Sequence, residues 1–227
     1  MQRASRDNNG DRVREILASL DKLEPMQQRR VRGVLRSVHR AGDRFVIKRY
    51  VHGESPPPRR RPWVVENTAL TRLGGLHAPK AIGYIEEKTD CGMTATLVRQ
   101  FVAGDPIAEP DGKLAREIAS LMAALHGRGV TTEDAHRHNF IRTPEGELMF
   151  LDFGKARVFE TGNPLIYPAV AFDLYRFFRA ALDRDTALWQ IFLDEYQHRS
   201  SFGPLGRAAV AQLLRLEAWR YHIVKGR

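Results

Sequence analysis

Three polar residues in segment 125–153 constrain this chain more than any other feature. Asn139 follows Asp134 by five positions, and Asp152 comes after a turn (TPEG, 143–146) and an apolar run. Two short strands joined by this turn would place Asn139 and Asp152 at neighbouring strand ends. One carboxylate can orient a hydroxyl acceptor, while an amide oxygen and a second carboxylate hold magnesium, so the spacing suits phosphoryl transfer. A turn, a helix cap and a strand end would explain each residue singly, but not their common spacing.

The segment, with its lead-in LHGRGV at 125–130 and the DFG sequence at 152–154, resembles the protein-kinase-like superfamily. The resemblance implies that Asp134 accepts or orients the proton of the acceptor hydroxyl, and that Asn139 and Asp152 hold the Mg²⁺ that accompanies ATP. It also implies an α+β fold of the reduced two-lobe protein-kinase-like type. In that fold a small antiparallel-sheet N-lobe with one main helix precedes a mostly helical, truncated C-lobe.

Upstream residues fit the same resemblance. Lys48, in the alternating strand FVIKRY, resembles the family's lysine that contacts the α- and β-phosphates of ATP. Glu66 comes eighteen residues later in a predicted helix over 63–73 and resembles the carboxylate that orients this lysine. The strand predicted at 94–101 looks like the connection between the lobes, where backbone groups from Gln100 to Val102 would bind adenine. A solvent-facing strand lysine and a helix N-terminal acid stay open as alternatives for Lys48 and Glu66.

Hydrophobic periodicity completes the outline of the chain. It predicts a hairpin of strands over 31–39 and 44–51, and a loop over 53–62. The predicted helices cover 11–20, 113–126, 169–182, 186–198 and 207–224. We therefore divide the chain into an N-terminal helical extension (1–30), a kinase-like N-lobe (31–102) and a truncated C-lobe (103–227).

In the helix over 169–182, Asp173 resembles the aspartate that braces the catalytic loop. Gly33 stands alone where the family has a glycine-rich phosphate cover, so we expect less backbone cradling of the nucleotide.

Charge and composition restrict the partners. Residues 1–62 hold 16 Lys and Arg against 7 Asp and Glu, so this part carries the whole formal net charge of +9. Such a patch attracts phosphates, anionic membrane surfaces or acidic substrates, although a solvated face without a partner stays open. Nucleic-acid binding is disfavoured, because no aromatic interleaving or recognised module accompanies the charge.

The single Cys91 excludes an internal disulfide. The chain has no apolar run of about 18 residues and no apolar signal core near Met1, which predicts a soluble, cytoplasmic protein.

Departures from the protein-kinase pattern narrow the branch. Thr132 and Glu133 precede Asp134 where protein kinases have His and Arg, so no arginine is available there to clamp a phosphorylated loop. His136 stands where protein serine/threonine kinases usually have lysine. The FLDFGKAR run at 150–157, followed by a short gap and an Asp-Leu pair at 173–174, resembles the bacterial lipopolysaccharide core (Kdo/heptose) kinase family over about 44–182. The resemblance implies phosphate transfer to an anionic glycan, with peripheral contact at the anionic inner membrane face.

Three other functions stay open on the sequence. A minimal serine/threonine protein kinase, including a secreted effector that phosphorylates a protein acceptor, fits the missing glycine-rich loop equally well. A pseudokinase used as a binding module is disfavoured by the full set of predicted site residues. A phosphate- or nucleic-acid-binding protein dominated by its basic N-terminal part would show steep salt dependence of binding.

Overall fold

The computed structural model describes residues 7–20, 22–31, 34–52, 60–89 and 92–225. The chain forms two compact units: Met1–Gly75 with Pro79–Ala103, and Leu76–Ala78 with Gly104–Arg227. The predicted loop at 53–62 falls mostly outside the described residues, as do Gly33 and Cys91. Within the described part of the chain, no helix combines the length and the apolar character needed to cross a membrane.

The first unit is built on a five-stranded antiparallel sheet. Its strands are β1 (Glu24–Val31), β2 (Val34–Ala41), β3 (Phe45–His52), β4 (Ala81–Thr89) and β5 (Gly92–Gln100). Their order across the sheet is β1-β2-β3-β5-β4, with each neighbouring pair antiparallel. The predicted hairpin is confirmed as β2 and β3, which pair from Val34↔His52 to Ala41↔Phe45.

The two helices of this unit cover opposite faces of the sheet. Helix α1 (Asp7–Ala18) places Val13 against a cluster that contains Ile47 of β3. Helix α2 (Pro62–Leu73) places Trp63 against Tyr50, also of β3. Successive side chains of a strand point to opposite faces. Lys48 therefore lies on the same face as Tyr50, which is the face covered by α2.

Strand β1 is one of the elements that the sequence pattern does not predict. Its sequence EPMQQRRV lacks an apolar alternation, and the side chains described in it are exposed. It lies at the edge of the sheet, where Pro25 is tolerated because an edge strand can lack a ladder donor. Pairing with β2 at this edge, rather than burial of an apolar face, defines the strand.

The second unit is mostly helical. Its helices are α3 (Gly112–Gly127), α4 (Ile166–Ala180), α5 (Thr186–Arg199) and α6 (Pro204–Lys225). Its short strands are β6 (Asp105–Pro106), β7 (Val130–Thr131), β8 (Phe140–Arg142), β9 (Leu148–Phe150) and β10 (Arg157–Val158). The four helices begin and end within three residues of their predicted bounds. The predicted α+β class, with an antiparallel-sheet N-terminal part and a helical C-terminal part, is confirmed, and it is consistent with a reduced two-lobe kinase-like fold.

Aromatic packing fixes the short strands on the helices of the second unit. Phe140 of β8 contacts Phe150 of β9 and Phe177 of α4, with ring centroids 5.0 and 5.9 Å apart. Both strand residues are fully buried. Gly129, with φ 75°, leads into β7, and a Cβ there would collide with the carbonyl of Phe159. The ring contacts of Phe140 hold the β8–β9 hairpin, and so the residues at its ends, in a defined position.

Candidate active site

A buried ion pair lies in the first unit. The Lys48 ammonium donates to both carboxylate oxygens of Glu66, at 2.7 and 2.8 Å. The two side chains are 3% and 0% exposed. The pair joins the centre of β3 to α2, because Lys48 lies on the sheet face that α2 covers. Arg99 of β5 is a second cation at this carboxylate, with its Nε 3.4 Å from Glu66 Oε1.

The last residue of β5 and the residue after it are hydrogen-bonded to other parts of the first unit. The N–H of Gln100 donates to the Lys80 carbonyl at 2.9 Å, and the N–H of Phe101 donates to the Arg44 carbonyl at 2.8 Å. The Gln100 side-chain oxygen accepts from the N–H of Lys80 at 3.3 Å. Val102 follows the strand in a stretch without regular secondary structure and is half-buried. An adenine at this segment would meet the backbone of Val102 and the Gln100 carbonyl, which also accepts from Arg99 Nη1 at 3.2 Å, because the Gln100 N–H is already bonded.

In the second unit, Asn139 closes the loop that begins at Asp134. Its side-chain amide nitrogen donates to the Asp134 carbonyl at 2.8 Å, and its N–H donates to the His136 carbonyl at 2.9 Å. The amide nitrogen is thereby committed to the loop, which leaves the amide oxygen as the atom that can bind a cation. Asn139 is the last residue of a short 3₁₀ turn (Arg137–Asn139) that leads directly into β8.

The hairpin pairing brings the backbone before Asp152 beside Asn139. Phe140 pairs with Phe150, and the N–H of Leu151 donates to the Asn139 carbonyl at 2.9 Å. Asp152 Oδ1 accepts from the N–H of Gly154 at 3.1 Å. Oxygen atoms of one amide and one carboxylate fit Mg²⁺, which prefers oxygen ligands and takes its remaining ligands from water and substrate phosphates. Across the described ranges, no cluster of three or more His, Cys, Asp or Glu side chains forms a metal cage.

Asp134 is held by two cations that the sequence analysis did not assign. Lys155 Nζ lies 2.9 Å from each of its carboxylate oxygens, and Arg176 Nη2 lies 3.0 Å from Oδ1. His136 Nε2 is 3.4 Å from the same Oδ1. Burial, followed by the nearby charge of Arg176, lowers the pKa of His136, so its ring is neutral near pH 7. Asp134 keeps 14% of its side chain exposed, which is enough for contact with a small group.

The sequence contains a signal for each of these cations. Lys155 directly follows the DFG sequence, and Arg176 lies one helical turn after Asp173 on α4. Residues three apart on a helix share a face, so Asp173 and Arg176 reach the same loop. Arg99, on β5, has no comparable signal in the sequence. It lies near Lys48 because β5 pairs with β3 in the register Lys48↔Leu97, and this pairing is not visible in the sequence.

Asp173 braces the start of the loop from a fully buried position. It accepts from the Thr132 N–H at 2.6 Å and from the Thr132 hydroxyl at 2.7 Å. His126 Nε2 lies 3.2 Å from the same carboxylate, and its Nδ1 is 2.8 Å from the Tyr196 hydroxyl. Burial raises the pKa of Tyr196 well above its usual value, so the phenol stays protonated. The network joins α3, α4 and α5 to the backbone that precedes Asp134.

Replacing Asp173 by alanine is expected to lower the free energy of unfolding by about 3 kcal/mol, because the buried donors of Thr132 lose their acceptor. Urea or thermal unfolding measures this loss. Asp194→Ala is the matched control, since Asp194 is exposed on α5 and bonds only to Gln190 one turn away in the described contacts. Equal stability losses in the two variants would contradict the bracing role.

Glu133 takes the position next to Asp134 with a left-handed backbone, φ 52°. Its carboxylate forms an ion pair with Arg157 of β10. Arg157 lies opposite Thr131 in the β7–β10 ladder, so strand pairing supports the contact. The charges are the reverse of those in a clamp where an arginine before the catalytic aspartate binds a phosphate. Here the residue before Asp134 is the carboxylate, and the segment after Asp152 supplies the arginine. A native carboxylate and arginine thus join the loop to the segment after Asp152, without phosphorylation.

One curated protein shows sequence similarity to the chain. It carries the name "Putative cyclin-dependent kinase F-2" in Oryza sativa subsp. japonica, and it is 32% identical over 108 residues. The match covers 47% of this chain and 33% of the rice protein, so the chain spans about one third of that relative's length. No family model matches the chain. The similarity supports a protein-kinase-like relationship and nothing finer.

Proposed function

We propose that the protein is a phosphotransferase that moves the γ-phosphate of Mg·ATP to a hydroxyl acceptor. The observation that carries the proposal is the buried Lys48–Glu66 pair. Taking two charges out of water costs as much as their attraction returns, and an apolar pair is often equally stable. A buried lysine held at both oxygens of a carboxylate therefore points to a function for the ammonium. In the proposed reaction it binds the α- and β-phosphates, and Glu66 orients it.

The remaining predicted residues have compatible roles. The Gln100 carbonyl and the backbone of Val102 bind adenine. Asn139 and Asp152 hold Mg²⁺ through their side-chain oxygens, and the ion, when bound, neutralises charge on the phosphates. Asp134 orients the acceptor hydroxyl and receives its proton.

The cations at Asp134 support this assignment. Lys155 and Arg176 keep its carboxylate in one orientation by three hydrogen bonds of 2.9–3.0 Å. Fixed orientation of a group that positions a nucleophile is a large source of rate in phosphoryl transfer. Lys155 has 57% of its side chain exposed, so it is also able to approach the charge on a transferred phosphoryl group.

For the acceptor, we propose a lipopolysaccharide core sugar met at the cytoplasmic face of the inner membrane. The resemblance of segment 150–174 to the Kdo/heptose kinase family supports this choice. The similarity to a rice protein named as a cyclin-dependent kinase favours a second candidate, a minimal serine/threonine protein kinase.

The fate of γ-labelled phosphate from Mg·ATP separates these candidates. Wild-type protein is offered lipopolysaccharide core and a cell protein extract together, with Asp134→Asn as the control. We expect label in the glycan and a loss of labelling by orders of magnitude in the variant, because the amide cannot receive a proton. Label in one protein band would support the protein kinase instead. ATP binding without any transfer would indicate a pseudokinase.

A further inference from the structure

A basic groove in the second unit lies beside Asp134. It has a volume of about 420 Å³ and runs between α4 and α6. Small-molecule sites typically have volumes of about 300–1,000 Å³. Three arginines line the groove: Arg176 and Arg179 from α4, and Arg220 from α6. Glu217 is the only acid among the described residues that line it.

The groove is continuous with the proposed catalytic loop through two side chains. Arg176 and His136 both line it, and both also approach Asp134 Oδ1, at 3.0 and 3.4 Å. Arg176 has 32% of its side chain exposed, so its guanidinium group can be approached from the groove while its Nη2 holds Asp134.

The side chains of the groove select for an anion with an apolar body. The three guanidinium groups outnumber the single carboxylate of Glu217, and arginine binds phosphate and carboxylate groups through paired N–H donors. Phe172, 38% exposed, and Tyr175 supply the apolar part of the wall.

We propose that this groove binds an acidic substituent, a phosphate or a carboxylate, of a sugar acceptor. The inference rests on the proposed function, since it is Asp134 that makes a neighbouring groove an acceptor site. The acceptor's acidic group lies against Arg176, Arg179 and Arg220, and one of its hydroxyl groups reaches Asp134. In this proposal, α4 and α6 recognise the anionic group of the acceptor.

Binding of glucose 6-phosphate, measured by titration calorimetry on the full chain without ATP, tests the proposal. Glucose is the uncharged probe. Arg220→Glu is the test variant, because Arg220 has 74% of its side chain exposed and pairs only loosely with Glu217, at 3.6 Å. Arg215→Glu is the matched control, with the same charge change at an exposed position of α6 outside the groove.

We expect glucose 6-phosphate to bind and glucose not to bind. Arg220→Glu should lower the affinity for glucose 6-phosphate by about tenfold or more, because a charge-assisted hydrogen bond is lost. Arg215→Glu should leave this affinity unchanged. Equal losses in both variants, or no binding by the wild type, would overturn the proposal. Arg220→Gln, which removes the charge without adding a carboxylate, should give a smaller loss in the same direction.

Mg·ATP binding by the wild type is measured on the same preparation. If the protein binds the sugar phosphate in an Arg220-dependent way but does not bind Mg·ATP, the anion site is supported and the phosphotransferase function is overturned. If it binds and turns over ATP but does not bind the sugar phosphate, the phosphotransferase function is supported and the anion site is overturned.

Discussion

Replacing Asp152 by asparagine is expected to lower the rate of phosphate transfer from Mg·ATP by about 10³-fold. Asp152 is the only carboxylate proposed to hold Mg²⁺, and the β8–β9 register places the backbone before it beside Asn139. An amide supplies one neutral oxygen where the site needs a charged one, so Mg²⁺ affinity and neutralisation of the phosphates fall together. The measurement is the steady-state rate of ADP formation across a range of Mg²⁺ concentrations.

The Mg²⁺ dependence separates this effect from a general loss of structure. In Asp152→Asn the half-saturating Mg²⁺ concentration should rise. Asp194→Asn, an exposed change on α5, should leave both the rate and the Mg²⁺ dependence as in the wild type. If Asp152→Asn kept wild-type turnover, the metal assignment would be wrong.

Replacing Glu66 by leucine is expected to lower the free energy of unfolding by about 3–5 kcal/mol, because it leaves the buried Lys48 ammonium without its carboxylate. Glu66 is fully buried and accepts both short bonds from Lys48. Chemical unfolding of the wild type and the variant measures the loss. The contact of Arg99 with Glu66 Oε1 adds to the effect, since that cation also loses a partner.

The double variant Lys48→Met with Glu66→Leu distinguishes stability from function. An apolar pair of similar volume does not require a counter-charge, so the double variant should recover part of the lost unfolding free energy. It should remain inactive, because no ammonium is left to bind the phosphates. A double variant less stable than Glu66→Leu alone would show that Lys48 is not stabilised mainly by this carboxylate.

Features that depend on residues close together in the chain could be predicted from the sequence. The hairpin β2–β3 follows from alternating residues and a turn, and the spacing of Asp134, Asn139 and Asp152 marks the second unit's loop and hairpin. Each of these features depends on neighbours a few residues apart. Local patterns of this kind remain visible in a single sequence.

The remaining features depend on contacts between distant parts of the chain. Strand β1 is defined by pairing at a sheet edge, and its own residues show no strand pattern. Arg176 reaches Asp134 across 42 positions, and the groove combines α4 with α6. The spacing of Arg176 from Asp173 marks a shared face of α4, but it does not show whether that face meets solvent or the carboxylate of Asp134. Only the packing of the helices decides between these two outcomes.

The most direct test follows the phosphorus-31 spectrum of Mg·ATP with the wild-type protein, lipopolysaccharide core and cell protein extract all present. Asp134→Asn and Asp152→Asn are run under the same conditions. The proposed phosphotransferase predicts that the γ-phosphate signal of ATP declines, that ADP appears, and that a phosphomonoester signal grows with the wild type alone. ATP that stays intact with the wild type, or declines no faster than with Asp152→Asn, would contradict phosphate transfer by this protein.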